Sequence, residues 1–158
     1  AYAPPPMLIS THLRPELAFL IRDPIDRSSL FRHLGDAVSS LTGVAARDVE
    51  AGLADREAQC STVIGSGVAL PHALVAGIPE PLVAAVIVPD GVEFAPGSPH
   101  VRLVFAIFGS PDNPWQHVRM LARLARIVSA DGAVERLLVA TSAADLYERL
   151  RTEDASHG

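Results

Sequence analysis

Two histidines stand in settings that suit chemistry. His72 ends the stretch Ile64-Gly65-Ser66-Gly67-Val68-Ala69-Leu70-Pro71-His72, and His117 opens the helical run after the last strong strand. Near neutral pH an imidazole is largely in its neutral form and can act as a nucleophile or general base. The upstream glycines allow a sharp turn and Pro71 restricts the approach of the chain, so His72 is expected at a strand end, presented rather than packed. The next residues, Ala73-Leu74-Val75-Ala76, are expected to make a helical turn whose free N–H groups favour an anion. His117 shares a helix face with Leu121, Leu124 and Val128, which aims it at the sheet, where it would orient His72 or steady a charge on it. Arg56, at a helix end, either pairs with its neighbour Glu57 or grips a phosphoryl oxygen. Ser61 and Thr62 are candidate hydroxyl donors to a phosphate. Each residue also has a plain reading: a loop histidine for His72, a satisfied boundary histidine for His117, a solvated ion pair for Arg56 and Glu57, and ordinary strand residues for Ser61 and Thr62.

The elements that must position these groups can be read from spacing. Asp26-Arg27-Ser28-Ser29 starts a helix in which Leu30, Leu34, Ala37, Val38 and Leu41 repeat until Gly43. Ala46, Val49 and Leu53 continue a second helix into Arg56-Glu57. Thr62–Ile64 and Val68–Leu70 read as short strands around a reversal at Gly65-Ser66-Gly67. Leu82–Val88 and Val101–Phe108 are apolar runs suited to strands covered on both faces, with turns expected at Asp90-Gly91 and Pro96-Gly97. Pro111–Pro114 is a polar loop, and Pro114 prepares a helix with an expected apolar stripe of Val118, Leu121, Ala122, Ala125 and Val128, and with Arg119, Arg123 and Arg126 on the other side. A helix over roughly 133–140 and a last helix carrying Leu146 and Leu150 behind a Ser142/Asp145 capping box complete the chain. Helices before and after a group of strands predict an α/β fold of three layers, α/β/α, with helices on both faces of the sheet.

Composition removes several functions. The chain has 158 residues and a formal net charge of −5, and all 13 basic residues are arginine. Without lysine there is neither a nucleotide-hydrolase phosphate loop nor a Schiff base. The scattered arginines and the acidic balance argue against nucleic acid. The longest apolar run, Leu82–Val88, is too short to cross a bilayer, so no membrane insertion is expected. The single Cys60 precludes an internal disulfide and fits a reducing, cytoplasmic compartment. Gly65-Ser66-Gly67 lacks the outer glycines of a hydrolase elbow, and Leu70 stands where a dinucleotide fingerprint needs its third glycine. No Cys, Asp or Glu gives the two histidines a recognisable third metal ligand, so neither metal nor cofactor is expected. His12, His33, His100 and His157 are read as structural or solvated.

Arg56-Glu57, Ser61-Thr62, the Ile64–His72 segment and the later His117-Val118 with Leu121-Ala122-Arg123-Leu124-Ala125 resemble the active-site pattern of the fructose/mannitol-type EIIA domains of the bacterial phosphotransferase system, including the nitrogen-regulatory branch. The likeness covers roughly Met7 to Arg151. It implies a mixed sheet with helices on both faces. It further implies that His72 takes a phosphoryl group on Nε2 from a histidine phosphocarrier protein (HPr-like), that His117 orients and stabilises, and that Arg56 neutralises phosphoryl charge. In-line transfer between protein histidines needs no metal. Two features depart from the pattern: the residues after His72 are wholly apolar where many relatives are basic or polar, and the chain has no lysine.

Two functions follow from the resemblance. One is a phosphoryl carrier that passes phosphate to an EIIB-like domain; the other is a regulatory binding module of the same fold that controls a transporter or other protein. An exposed apolar rim around His72 would support protein docking of either kind. The expected organisation is a proline-rich tail or linker over 1–6, the EIIA-like domain over 7–151 and a C-terminal tail over 152–158.

Overall fold

The computed structural model describes residues 8–157; the proline-rich segment expected over 1–6 lies outside them. Six strands form one mixed sheet: β1 (Leu13–Leu20), β2 (Val63–Gly65), β3 (Val68–Ala69), β4 (His72–Leu74), β5 (Leu82–Glu93) and β6 (His100–Gly109). The spatial order is β1-β5-β6-β3-β2, and β4 also pairs with β6. β5 and β6 are antiparallel, whereas β1 runs parallel to β5 and both β3 and β4 run parallel to β6.

Alternation along the two central strands sorts the core. Ala84, Val86 and Val88 of β5 and Val104, Ala106 and Phe108 of β6 pack with α1 (Arg27–Thr42) and α2 (Ala46–Gln59). Val83, Ala85, Ile87, Leu103, Phe105 and Ile107 face α3 (Pro114–Ser129), α4 (Ala133–Leu138) and α5 (Ala143–Ser156). Because both faces are covered, these strands are nearly all apolar, as the three-layer expectation required. Leu30, Leu34, Leu53, Leu124 and Leu150 are fully buried, each worth about 1.5–3 kcal/mol relative to exposure. The Asp26 carboxylate accepts from Ser29 N–H at 2.7 Å to cap α1, and Ser142 Oγ accepts from Asp145 N–H at 3.0 Å to cap α5.

Several local expectations are corrected. Strand β1 has no clear signal in the sequence, because Pro15 interrupts its pattern; the proline is tolerated because β1 is an edge strand with an irregular register between Leu13 and Ala18. Asp90-Gly91 is not a turn: β5 continues through a register shift to pair Val92 with Val101 and Glu93 with His100, leaving the reversal to the Pro96-Gly97 segment. The buried face of α3 is His117, Met120, Arg123, Leu124 and Ile127, while Val118 is exposed. Arg123 therefore lies inside, because Asp154 of α5 receives it: Nε donates to Asp154 Oδ1 at 3.1 Å, and Nη1 donates to His157 O at 2.8 Å. Asp154 Oδ2 also accepts from Ser10 N–H at 2.8 Å, so one carboxylate joins α3, α5 and the N-terminal turn. For the same reason α5 runs to Ser156, past the expected domain end at Arg151 into the segment read as a tail, with Glu153 and Asp154 buried.

Candidate active site

β3 and β4 lie end to end along β6, separated by Leu70 and Pro71. The interruption costs little pairing, since Pro71 has no N–H to offer and its carbonyl still accepts from Ile107 N–H at 3.0 Å. The helical turn expected after His72 is absent: His72, Ala73 and Leu74 pair with Ile107, Phe108 and Gly109, and Val75 N–H donates to Gly109 O at 2.8 Å. The segment is extended, so the helical N-terminus that was expected to hold an anion there is absent. Strand alternation then decides direction. Ala73 joins the α1/α2 core, so His72 and Leu74 project to the α3 side.

There His72 meets His117, with ring centroids 5.2 Å apart and planes inclined by 55°. His117 fits because β6 ends in glycine: a Cβ at Gly109 would lie 3.0 Å from His117 Nδ1. From the opposite layer, α2 approaches β4 closely at Gly52, where a Cβ would stand 3.0 Å from Ala73 Cβ. That approach carries Arg56, in the last turn of α2, past the open edge of β4 to His72. Three residues from three elements thus converge at one sheet edge.

The hydrogen bonds fix the tautomer of His72. Its Nδ1 lies 2.9 Å from the Leu70 carbonyl, which can only accept, so Nδ1 carries the proton. Its Nε2 accepts from Arg56 Nε–H at 3.1 Å and therefore holds the lone pair. The His72 pKa is lowered from 6.5, first by burial; the Leu70 hydrogen bond and the Glu57 charge oppose that shift, and the Arg56 charge adds to it. His117 is 5% exposed, and neither ring nitrogen has a hydrogen-bond partner. Burial first, and the charge of His72 second, lower its pKa to about 4, so it is neutral at pH 7.

The remaining site candidates divide. Arg56 does not pair with Glu57; its Nη1 donates to Cys60 O at 2.7 Å. Glu57 is buried and accepts from Thr62 N–H at 2.9 Å and from the Thr62 hydroxyl. Thr62 thus directs its hydroxyl inward, a correction to its expected role as a phosphate donor. Ser61 is exposed, and its Oγ accepts from Val63 N–H at 3.2 Å. Sequence reasoning missed Gly52, Gly109 and the Leu70 carbonyl, whose importance comes from long-range contact and backbone placement. Leu74, Trp115 and Val118 are exposed beside the histidines, with Trp115 at 77%. No helix among the described residues is long and apolar enough to cross a membrane.

Comparison with known proteins agrees with this fold. Residues 11–153 match the sequence model of the family described as "Phosphoenolpyruvate-dependent sugar phosphotransferase system, EIIA 2". A multiphosphoryl transfer protein of Rhodobacter capsulatus is 34% identical over 122 residues, which are 74% of this chain; the chain spans only 14% of that protein. Among solved structures, nitrogen regulatory protein IIA-Ntr from Neisseria meningitidis superposes with a TM-score of 0.80 at 26% identity, covering 90% of this chain and 98% of that one. The enzyme IIAMTL chain solved with phosphorylated enzyme IIBMTL from Escherichia coli superposes with a TM-score of 0.69 at 23% identity, covering 87% of this chain and 95% of that one. With the matched residues running from β1 into α5, the chain belongs to the type-2 EIIA family of the phosphotransferase system.

Proposed function

We propose that this domain carries a phosphoryl group on Nε2 of His72, taken from an HPr-like histidine phosphocarrier and handed on to an EIIB-like domain. The observation that carries the reading is the fixed tautomer: the Leu70 carbonyl holds the proton on Nδ1 and leaves the Nε2 lone pair outward, next to a guanidinium. In transfer, that lone pair forms the new N–P bond as the N–P bond to the donor's imidazole breaks, and the Nδ1 proton stays on Nδ1, still donated to the Leu70 carbonyl. Arg56 Nε–H, which occupies the lone pair at rest, passes to a phosphoryl oxygen and balances its charge. Neutral His117 offers an N–H to the same group without having to give up a proton or another partner. Ser61 supplies a hydroxyl at the exposed rim. The exposed Leu74, Trp115 and Val118 suit a protein donor docking over the pair. All these steps belong to the cytoplasm, where a phosphorylated carrier would be met, and none calls for metal, cofactor or nucleic acid.

A second reading draws support from the likeness to a nitrogen regulatory protein: the phosphoryl group, once on His72, is a signal read by a regulated target protein. One experiment addresses both. The domain is incubated with phosphoenolpyruvate, enzyme I and the histidine carrier, and acid-labile phosphate is followed by intact mass and phosphorus NMR. Label on the wild type and none on His72→Ala is expected. No label with an active cognate carrier sinks the carrier reading. Discharge to an added EIIB-like domain separates relay from signal.

A further inference from the structure

Both ring nitrogens of His72 are held from one point at the end of α2. Glu57 accepts from Thr62 N–H at 2.9 Å and from the Thr62 hydroxyl. The Thr62 carbonyl accepts from Leu70 N–H at 3.0 Å, and the Leu70 carbonyl in turn accepts the Nδ1 proton of His72 at 2.9 Å. On the other side of the ring, Nε2 accepts from Arg56, the residue before Glu57. The path returns to its origin. It is tightened by Arg56 Nη1 on the Cys60 carbonyl, which lies inside the same segment.

Glu57 sits where local rules disfavour a carboxylate. It lies in the last turn of α2, against the negative end of the helix dipole, and is 7% exposed with no ion pair among the described residues. A carboxylate there has one property an amide lacks: both of its oxygens accept, Oε2 from Thr62 N–H and Oε1 from the Thr62 hydroxyl. We propose that Glu57 is a positioning residue for the phosphoryl acceptor, acting through this closed circuit to keep His72 in its Nδ1–H tautomer and Arg56 on its Nε2 side. The inference rests on the reading of His72 as the acceptor.

The test uses Glu57→Gln, Thr62→Val and Thr62→Ser in the full chain. The His72 tautomer is read by long-range ¹⁵N–¹H NMR without any phosphoryl donor, and the rate of phosphoryl acceptance from the phosphorylated carrier protein is read separately. Glu57→Gln is expected to move part of His72 to the Nε2–H form and to slow acceptance on the order of ten- to a hundredfold. Thr62→Val, which keeps the backbone donor, is expected to slow it about threefold, with Thr62→Ser restoring the rate. An unchanged tautomer and rate in both Glu57→Gln and Thr62→Val overturns the proposal, as does a loss of stability with the tautomer intact. If Glu57→Gln does not fold, the Thr62 pair decides. A wild type that takes no label defeats the carrier reading instead, and the tautomer measurement still judges the circuit.

Discussion

Arg56 and Arg123 are the same side chain used in opposite ways. Arg123 is 4% exposed, and all three of its donor nitrogens are committed: Nε and Nη1 to Asp154 Oδ1 and His157 O, and Nη2 to Asp154 O. Arg56 is only part-buried, makes no ion pair among the described residues, and turns Nε toward a histidine. A buried arginine must have its charge met by fixed acceptors, which makes it a structural pin. One whose charge is left unbalanced at a surface is available to an incoming anion.

The largest expected effect follows from that contrast. Arg56→Gln should slow phosphoryl acceptance by about a hundredfold or more while the urea midpoint barely moves. Arg123→Ala should do the reverse: Asp154 is left buried and uncompensated, at a cost of about 3–5 kcal/mol in urea unfolding, with acceptance per folded molecule unchanged. Equal losses of both quantities in both variants would erase the distinction between the two arginines.

The Gly109 contact extends the comparison to His117. Gly109→Val should push the imidazole off the end of β6, costing about 1–3 kcal/mol of stability and about tenfold in acceptance rate. Measuring both in one variant tests whether the histidine pair depends on that close approach.

Acid titration separates the histidine layer from the ion-paired one. His117 has a folded-state pKa of about 4 against 6.5 unfolded, so above pH 6.5 it contributes nothing to the pH dependence. Between those values the unfolded chain binds a proton the folded chain refuses, and stability falls with decreasing pH. The full penalty, about 3 kcal/mol, is reached below pH 4. In urea melts across this range, His117→Asn should flatten the slope. An unchanged slope would mean that His117 is not the group being titrated.

The smallest effect is expected at Ser61. Its hydroxyl is exposed, so Ser61→Ala should slow acceptance by about threefold and leave stability unchanged.

Much of the fold was legible because its signals are local. The Asp26 and Ser142 caps, the Gly65-Ser66-Gly67 reversal and the two apolar central strands each depend on neighbours within a few residues. The α3 stripe departs from its sequence pattern because Arg123, outward by residue type, is drawn inside by an acceptor, Asp154, that lies 31 residues away. The apolar residues after His72 suit a helix or a strand equally, and pairing with β6 decides between them.

The sequence by itself determined the three-layer plan, the family pattern, and the identities of His72, His117 and Arg56 as a candidate set. Tertiary structure decided what each of them does: which His72 nitrogen bears the lone pair, that Arg56 turns to the histidine 16 residues on rather than to adjacent Glu57, and that His117 is kept neutral. Residue type and spacing encode what a side chain is able to do. Its protonation and partner depend on burial and on groups that only the folded sheet edge brings within 3 or 4 Å.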